Sequence, residues 1–247
     1  MLRYTENILY WVGCMASYRV KEIAKNTIKI LKYAEIGFET LGNDEKCCGS
    51  VLIRYGMLNE AKKLAKRVIT IIGKKNVNII VTSCAGCYRT FVKDYYDFLN
   101  VEMPFTVLHI SQFLADVIND GKISIPNLPS LSVTYHDPCH LGRHMGIFDE
   151  PRQVIMAFNA RIVEMENSRM NSNCCGAGGG LMSTYRELAT AIAEDRLLEA
   201  LETKTRILIT ACPFCVYNLR KTAEELNIPM QVMDLTEFVV KRIEGKI

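Results

Sequence analysis

Ten cysteines fall into two copies of one pattern with none left over. The first copy is Cys14, the adjacent pair Cys47-Cys48, then Cys84 and Cys87, with 32, 35 and 2 residues between them. The second is Cys139, Cys174-Cys175, Cys212 and Cys215, with 34, 36 and 2. Each adjacent pair is followed by glycine, Gly49 and Gly176, and each copy ends in Cys-x-x-Cys. Any fold for this chain must therefore draw distant segments to one point, and must do so twice. The pattern is a ligand set written in duplicate.

Four readings compete. Disulfide frameworks belong to short secreted chains, whereas this chain has 247 residues and shows no charged segment leading into an apolar one of the secretory kind. Structural zinc takes four ligands, so five cysteines would leave one idle in each set; zinc in one of the two sets stays as the alternative. Buried free cysteine explains single positions but not a doubled spacing. Iron–sulfur ligation by thiolates is favoured by count and spacing. Gly49, Gly86 and the run Gly176-Ala177-Gly178-Gly179-Gly180 let backbone N–H groups approach such a core closely. The same run also suits a turn or a phosphate cradle, but it lacks the Lys-Ser/Thr that ends a P-loop.

The repeat extends beyond the cysteines. Ile79-Ile80-Val81-Thr82-Ser83-Cys84 matches Ile207-Leu208-Ile209-Thr210-Ala211-Cys212, and Val107 to Phe113 matches Val232 to Phe238. Short apolar runs over Ile8 to Val12, Asn78 to Thr82, Val133 to Tyr135 and Arg206 to Thr210 predict buried strands, each ending where a cysteine begins. Ile23, Thr27, Ile30, Leu31 and Ala34 line one helical face; Leu58, Ala61, Leu64, Ala65, Val68 and Ile72 line another. This alternation predicts a mainly parallel α/β domain, twice. The breaker-rich stretch from Asn119-Asp120-Gly121 to Pro126-Asn127-Leu128-Pro129-Ser130 places the junction, giving expected domains 1–125 and 126–247. Ligands in such sheets collect at the carboxyl ends of strands, where the cysteines stand.

Hydrophobic residues make up 49% and charged residues 23%, the balance of a globular chain. No apolar run approaches the roughly 18 residues of a membrane span, so the expectation is a cytoplasmic protein that meets a membrane only through a partner. A net charge of +3 gives no footprint for nucleic acid. Iron-binding thiolates also call for a reducing compartment.

Tyr135-His136-Asp137-Pro138-Cys139-His140-Leu141-Gly142-Arg143 and Asn173-Cys174-Cys175-Gly176-Ala177-Gly178-Gly179-Gly180 carry a family resemblance over nearly the whole chain. The sequence resembles the CCG-domain iron–sulfur proteins, and within them the catalytic B and D subunits of heterodisulfide reductase. The resemblance implies two tandem pseudo-symmetric Rossmann-like CCG domains with flanking helices. It also implies a noncubane 4Fe-4S cluster on Cys14, Cys47, Cys48, Cys84 and Cys87, and a second on Cys139, Cys174, Cys175, Cys212 and Cys215. The implied reaction splits or forms a thiol-cofactor disulfide such as CoM-S-S-CoB, with one electron from each cluster and each thiolate transiently on an iron. Relatives in lactate, glycolate and glycerol-3-phosphate oxidation have lost part of one set, whereas both sets here are complete. The ferredoxin-like Cys-x-x-Cys-x-x-Cys-x-x-x-Cys-Pro segment of D-type proteins does not occur in this sequence. Electrons are therefore expected from a ferredoxin-like subunit, backed by a flavoprotein or cytochrome b subunit. The alternative reading is an electron-transfer iron–sulfur subunit of an organic-acid or sulfur-oxidising dehydrogenase complex.

His140 follows a ligand directly and would donate a proton or a hydrogen bond at the cluster; His136 is the weaker candidate for the same role. His109 and His144 read as structural or exposed. Lys46, Arg89 and Arg143 adjoin the motifs; together they would hold anionic substrate groups, while for any one of them surface solvation is the favoured reading. Met15, Met182 and Tyr88 stand near motifs, with nothing in the sequence to separate pocket from packing. Asp137-Pro138 reads as a turn setting the approach to Cys139.

Overall fold

The computed structural model describes residues 7–247; the first six residues of the expected first domain lie outside the described residues. Among the described residues eight strands form two sheets: β1 Ile8–Trp11, β2 Phe38–Glu39, β3 Ile79–Thr82 and β4 Thr106–His109 in one, β5 Leu131–His136, β6 Ala160–Ile162, β7 Ile207–Thr210 and β8 Gln231–Asp234 in the other. The orders β2-β1-β3-β4 and β6-β5-β7-β8 are the same topology twice, and every pairing is parallel. β1, β3 and β7 are buried along their whole length. Their unbroken apolar runs follow, because helices cover both faces of a parallel sheet.

The expected helices are present as Lys21–Tyr33 and Leu58–Ile72. The first buries Ile23, Thr27, Ile30 and Leu31, and the second buries Ala61, Ala65, Val68 and Ile72. Leu58, expected on that second face, is 39% exposed. It opens the first turn, and burial along that face begins at Ala61. The matched repeat segments end β4 and β8 in the same way. Nδ1 of His109 accepts the Ser111 amide at 3.2 Å, and Oδ1 of Asp234 accepts the Thr236 amide at 2.8 Å, so each caps the helix that follows.

The halves pack through those repeated helices. Helix Ile110–Asn119 of the first half lies on Asp149–Ala157 of the second, and Leu235–Ile243 of the second lies on Lys21–Tyr33 of the first. The same pairing made twice is a pseudo-twofold interface. Arg220 bridges Glu22 across it at 2.5 Å and Glu237 at 2.8 Å, and Lys29 pairs with Glu244 at 2.6 Å. One apolar core runs through both halves. Among the described residues no helix is long and apolar enough to cross a membrane.

Helix Ile110–Asn119 ends and β5 begins at Leu131, and the connection between them is held by Arg242. Its buried guanidinium donates to the carbonyls of Pro129 at 2.8 Å, Phe158 at 2.7 Å and Ile247 at 2.7 Å. Replacing it strands these carbonyl oxygens without a donor. Arg242→Met is expected to lower stability by about 3 kcal/mol, read as a lower urea midpoint with unchanged slope.

Candidate metal centre

Strand ends deliver the cysteines. β1 runs into Gly13-Cys14, β3 into Cys84, β5 into Pro138-Cys139 and β7 into Cys212. Cys84 and Cys212 stay extended and open helices Ala85–Arg89 and Pro213–Glu225, which carry Cys87 and Cys215 in their first turns. At these helix starts neighbouring sulfurs outweigh the helix dipole, since Cys84, Cys87 and Cys215 are pushed above the usual thiol range and only Cys212 falls below it.

Each adjacent pair is bent back by its glycine. Gly49 has φ +84° and Gly176 φ +75°, and their amides donate to Cys47 Sγ at 3.4 Å and Cys174 Sγ at 3.3 Å. A methyl group on Gly176 would collide with the Ala189 carbonyl oxygen. The pair's second carbonyl is tied in both halves, Cys48 O by Tyr95 Oη at 2.8 Å and Cys175 O by Asn218 Nδ2 at 2.8 Å. The loop before the pair is tied as well. Glu45 accepts the Val12 and Gly13 amides at 3.0 and 2.6 Å, and burial lifts its carboxyl to about 7. In the second half Arg152 holds Asp137 through two hydrogen bonds of 2.7 and 2.9 Å, and Asp137 accepts the Arg169 amide at 2.8 Å.

All five cysteines of the first set line one small cavity of about 20 Å³ with Val12, Met15 and Ala16. All five of the second line another of about 170 Å³ that continues past Arg54, Tyr55 and Met182. Ser50, Val51, Gly86 and Phe214 line both and form the wall between them. At that wall Cys84 and Cys212 lie close enough for each to shift the other's thiol, so the two sets adjoin.

Within each set some sulfurs favour thiolate and others thiol. Hydrogen bonds from Cys14 and Cys48 bring the Cys47 thiol down to about 3, while Cys14 and Cys48 rise in response. Cys212 and Cys175 lie well below the usual thiol range through hydrogen bonds from neighbouring cysteines, and Cys215 and Cys174 rise. Burial lifts Cys139 to about 11. Converging soft sulfurs, partly as thiolate and backed by glycine amides, are the donor chemistry of an iron–sulfur site.

The two halves differ where their sequences differ. Gly86 and Phe214 occupy the same place in the two Cys-x-x-Cys turns, as do Met15 and His140 after the first cysteine. Phe214 crosses to pack on the first-half cluster of Met15, Ala16, Val20 and Ile23 and closes the first cavity. Gly86 contributes no side chain to the second, where His140 Nδ1 lies 3.6 Å from the point a Cβ would take. Burial, with Arg89 and Arg54 nearby, brings His140 down to about 4, so the ring is neutral at neutral pH.

The three cations next to the motifs do not form an anion site. Arg89 is buried against Asp94 at 3.1 Å, Arg143 donates to the carbonyls of Met170 and Ser172 at 3.1 and 2.5 Å, and Lys46 is exposed. Arg54 lines the open cavity instead, paired with Asp94 and with its buried Nε lacking a partner among the described residues. Tyr55, 51% exposed, reaches from the first half to the glycine run. Its hydroxyl stands where a Cβ on Gly180 would lie, and it is 3.4 Å from Thr184 Oγ1. The motifs do not single out either residue. The signal was there in the spacing of Val51, Arg54 and Tyr55, which share one face of the turn after Gly49. Met15 lines the first cavity and Met182 the second, Tyr88 packs edge-on against His109, and His144 is exposed.

The cysteine-rich domain model CCG matches residues 8–92 and again 133–220. The chain belongs to the CCG family. The D subunit of the dihydromethanophenazine:CoB–CoM heterodisulfide reductase of Methanosarcina barkeri is 41% identical to this CCG protein over 241 residues, covering 96% of this chain and 59% of that one. The B subunit of the fumarate reductase (CoM/CoB) of Methanothermobacter marburgensis is 34% identical, covering 93% and 45%. The probable iron-sulfur-binding oxidoreductase FadF of Bacillus subtilis is also 34% identical, covering 96% and 34%. The chain thus spans three-fifths or less of the length of these curated relatives. Among solved structures, Picrophilus torridus aspartate racemase matches at TM-score 0.43 and 12% identity, covering 98% of this chain and 93% of that one. A likeness that low carries no argument.

The CCG turn itself gives a sharp expectation. Gly176→Ala meets both a left-handed backbone and the Ala189 carbonyl, so iron content measured on anaerobically prepared protein should fall clearly below that of the unmutated chain. Gly49→Ala has only the backbone strain, its nearest neighbour being Leu64 at 3.6 Å, and should lose less.

Proposed function

We propose that the chain is the iron–sulfur subunit of an oxidoreductase that reduces or forms the disulfide of a small thiol cofactor, with a cluster on each five-cysteine set. The observation that carries this reading is the shared wall. Cys84 of one set meets Cys212 of the other, beside a cavity that runs out past Arg54 and Tyr55. Two one-electron carriers in contact at one cavity suit a bond whose cleavage takes an electron pair. The balance is R–S–S–R′ plus two electrons and two protons giving R–SH and R′–SH. The clusters would supply the electrons singly, refilled by a ferredoxin-like partner subunit with a flavoprotein or cytochrome b subunit behind it.

The chain's own residues do the rest. Neutral His140, on the cavity wall, orients a hydrogen bond toward a departing sulfur and hands on a proton arriving from solvent. Arg54 directs a guanidinium at the cavity edge and fits an anionic group on the substrate. Gly86 leaves room for substrate on the second-set side, while Phe214 fills the first.

The heterodisulfide reductase relative supports this reading. The fumarate reductase relative, whose name also carries CoM/CoB, fits the same reading, whereas the FadF relative, named only as an iron-sulfur-binding oxidoreductase, fits a second one, in which the same two clusters only pass electrons to a dehydrogenase or quinone partner.

Iron, sulfide and zinc analysis of anaerobic protein should find about eight irons per chain and no zinc. Reduced viologen should then drive disulfide reduction. Disulfide reduction absent with all irons in place, together with turnover of a quinone, would move the protein to the electron-transfer reading. Gly86→Phe should abolish disulfide reduction while keeping iron content. Arg54→Gln should raise KM for an anionic disulfide at least tenfold and leave kcat within about threefold, because it removes binding common to ground and transition states.

A further inference from the structure

Of the buried N–H groups left without a hydrogen bond among the described residues, those of Trp11, Arg54, His109 and His136, two stand at equivalent places in the two halves. Trp11 ends β1 and His136 ends β5, each three residues before the first cysteine of its set. Their strand partners are equivalent too, since Trp11 pairs with Thr82 and His136 with Thr210. Trp11 is 0% and His136 1% exposed, yet neither Trp11 Nε1 nor His136 Nε2 makes a hydrogen bond of good geometry among the described residues, although the His136 ring lies against Cys175. Buried donors are otherwise almost always satisfied, so two orphans at equivalent positions ask for a common reason.

The geometry at His136 fixes its tautomer. Arg196 Nε donates to Nδ1 at 3.0 Å, and a guanidinium has no acceptor, so Nδ1 carries the lone pair and Nε2 the hydrogen. Arg196 is itself immobilised by Glu199 at 2.5 Å, the Asn167 carbonyl at 3.0 Å and Ser172 Oγ at 3.1 Å. A ring nitrogen of His136 and the sulfurs of Cys175 and Cys215 lie within 4.8 Å of one another. On the other side, the space next to Gly13 borders both Cys87 Sγ at 3.4 Å and Trp11 Nε1 at 4.0 Å.

We propose that His136 and Trp11 are the paired N–H donors to the sulfurs of the second and first centres, and that His136 holds the second at the higher reduction potential. They are positioning residues: neither supplies electrons or touches substrate. The inference rests on both sets holding iron–sulfur clusters, as in the reading above. An N–H aimed at a sulfur stabilises the reduced, more negative state and raises its potential. The Arg196 donation to Nδ1 also polarises the ring and strengthens its Nε2–H as a donor, a second hydrogen bond that the indole lacks. Electrons would then settle on the centre beside the open cavity and His140.

The test is a potentiometric titration of anaerobic holoprotein, followed by EPR and visible absorption, after metal analysis has counted about eight irons. His136→Leu should lower one midpoint by at least a tenfold change in the oxidised-to-reduced ratio, about 59 mV for a one-electron couple. The other midpoint should stay put. Trp11→Phe should shift the other signal in the same direction, and His136→Gln, which keeps an N–H, should restore most of the loss. Unchanged midpoints in His136→Leu would overturn the proposal. So would loss of about half the iron in both His136 variants, which would make His136 a ligand. Zinc in place of iron in the unmutated protein would overturn the cluster reading itself. A negative disulfide assay would overturn only the substrate assignment and leave the midpoints as the measure of this inference.

Discussion

Parallel pairing of β1 with β3, and of β5 with β7, is the constraint from which the rest follows. The register Trp11↔Thr82 and His136↔Thr210 stops both members of each pair at one level. The residues just beyond, Cys14 with Cys84 and Cys139 with Cys212, therefore emerge side by side, although most of a domain separates them along the chain. A crossover helix makes such a juxtaposition cheap, because the apolar face that covers the sheet also returns the chain to the same edge. Thiolates brought this close repel one another in a medium that screens poorly. The glycine amides and helix starts around them partly offset that cost, and a bound cation cluster would remove it.

A duplicated architecture need not produce two equal sites. The backbone places Met15 and His140, Gly86 and Phe214, Trp11 and His136 at matching positions, and each pair differs in polarity, volume or hydrogen-bonding chemistry. Every substitution acts in one direction. The first site is lined by apolar groups and closed by a ring borrowed from the second half, while the second is roomier and faced by imidazole. Duplication supplied the framework, and a few side chains made the two sites differ in volume and polarity.

The supports behind the cysteines are diverse although the job is repeated. Tyr95 and Asn218 hold equivalent carbonyls, and Glu45 and Asp137 anchor equivalent loops. Only the hydrogen-bond role is repeated, because a carbonyl or amide accepts any donor or acceptor of the right reach. This is why motif spacing points to the ligands but not to their supports.

The cysteine spacing and the alternation of apolar runs determined by themselves that there are two repeats, which central strands lead into the cysteines, and which five sulfurs stand together in each half. Those are local or periodic properties, written in adjacent residues. Leu58 on the surface, Arg143 spent on the carbonyls of Met170 and Ser172, and Arg54 at the cavity in place of Lys46, Arg89 and Arg143 were decided by tertiary structure alone. So were the wall shared by the two sets and the reach of Phe214 into the other half. In each case the outcome depends on which surface of one half meets the other. That is settled by helix packing across the pseudo-twofold interface, and no short stretch of sequence records it.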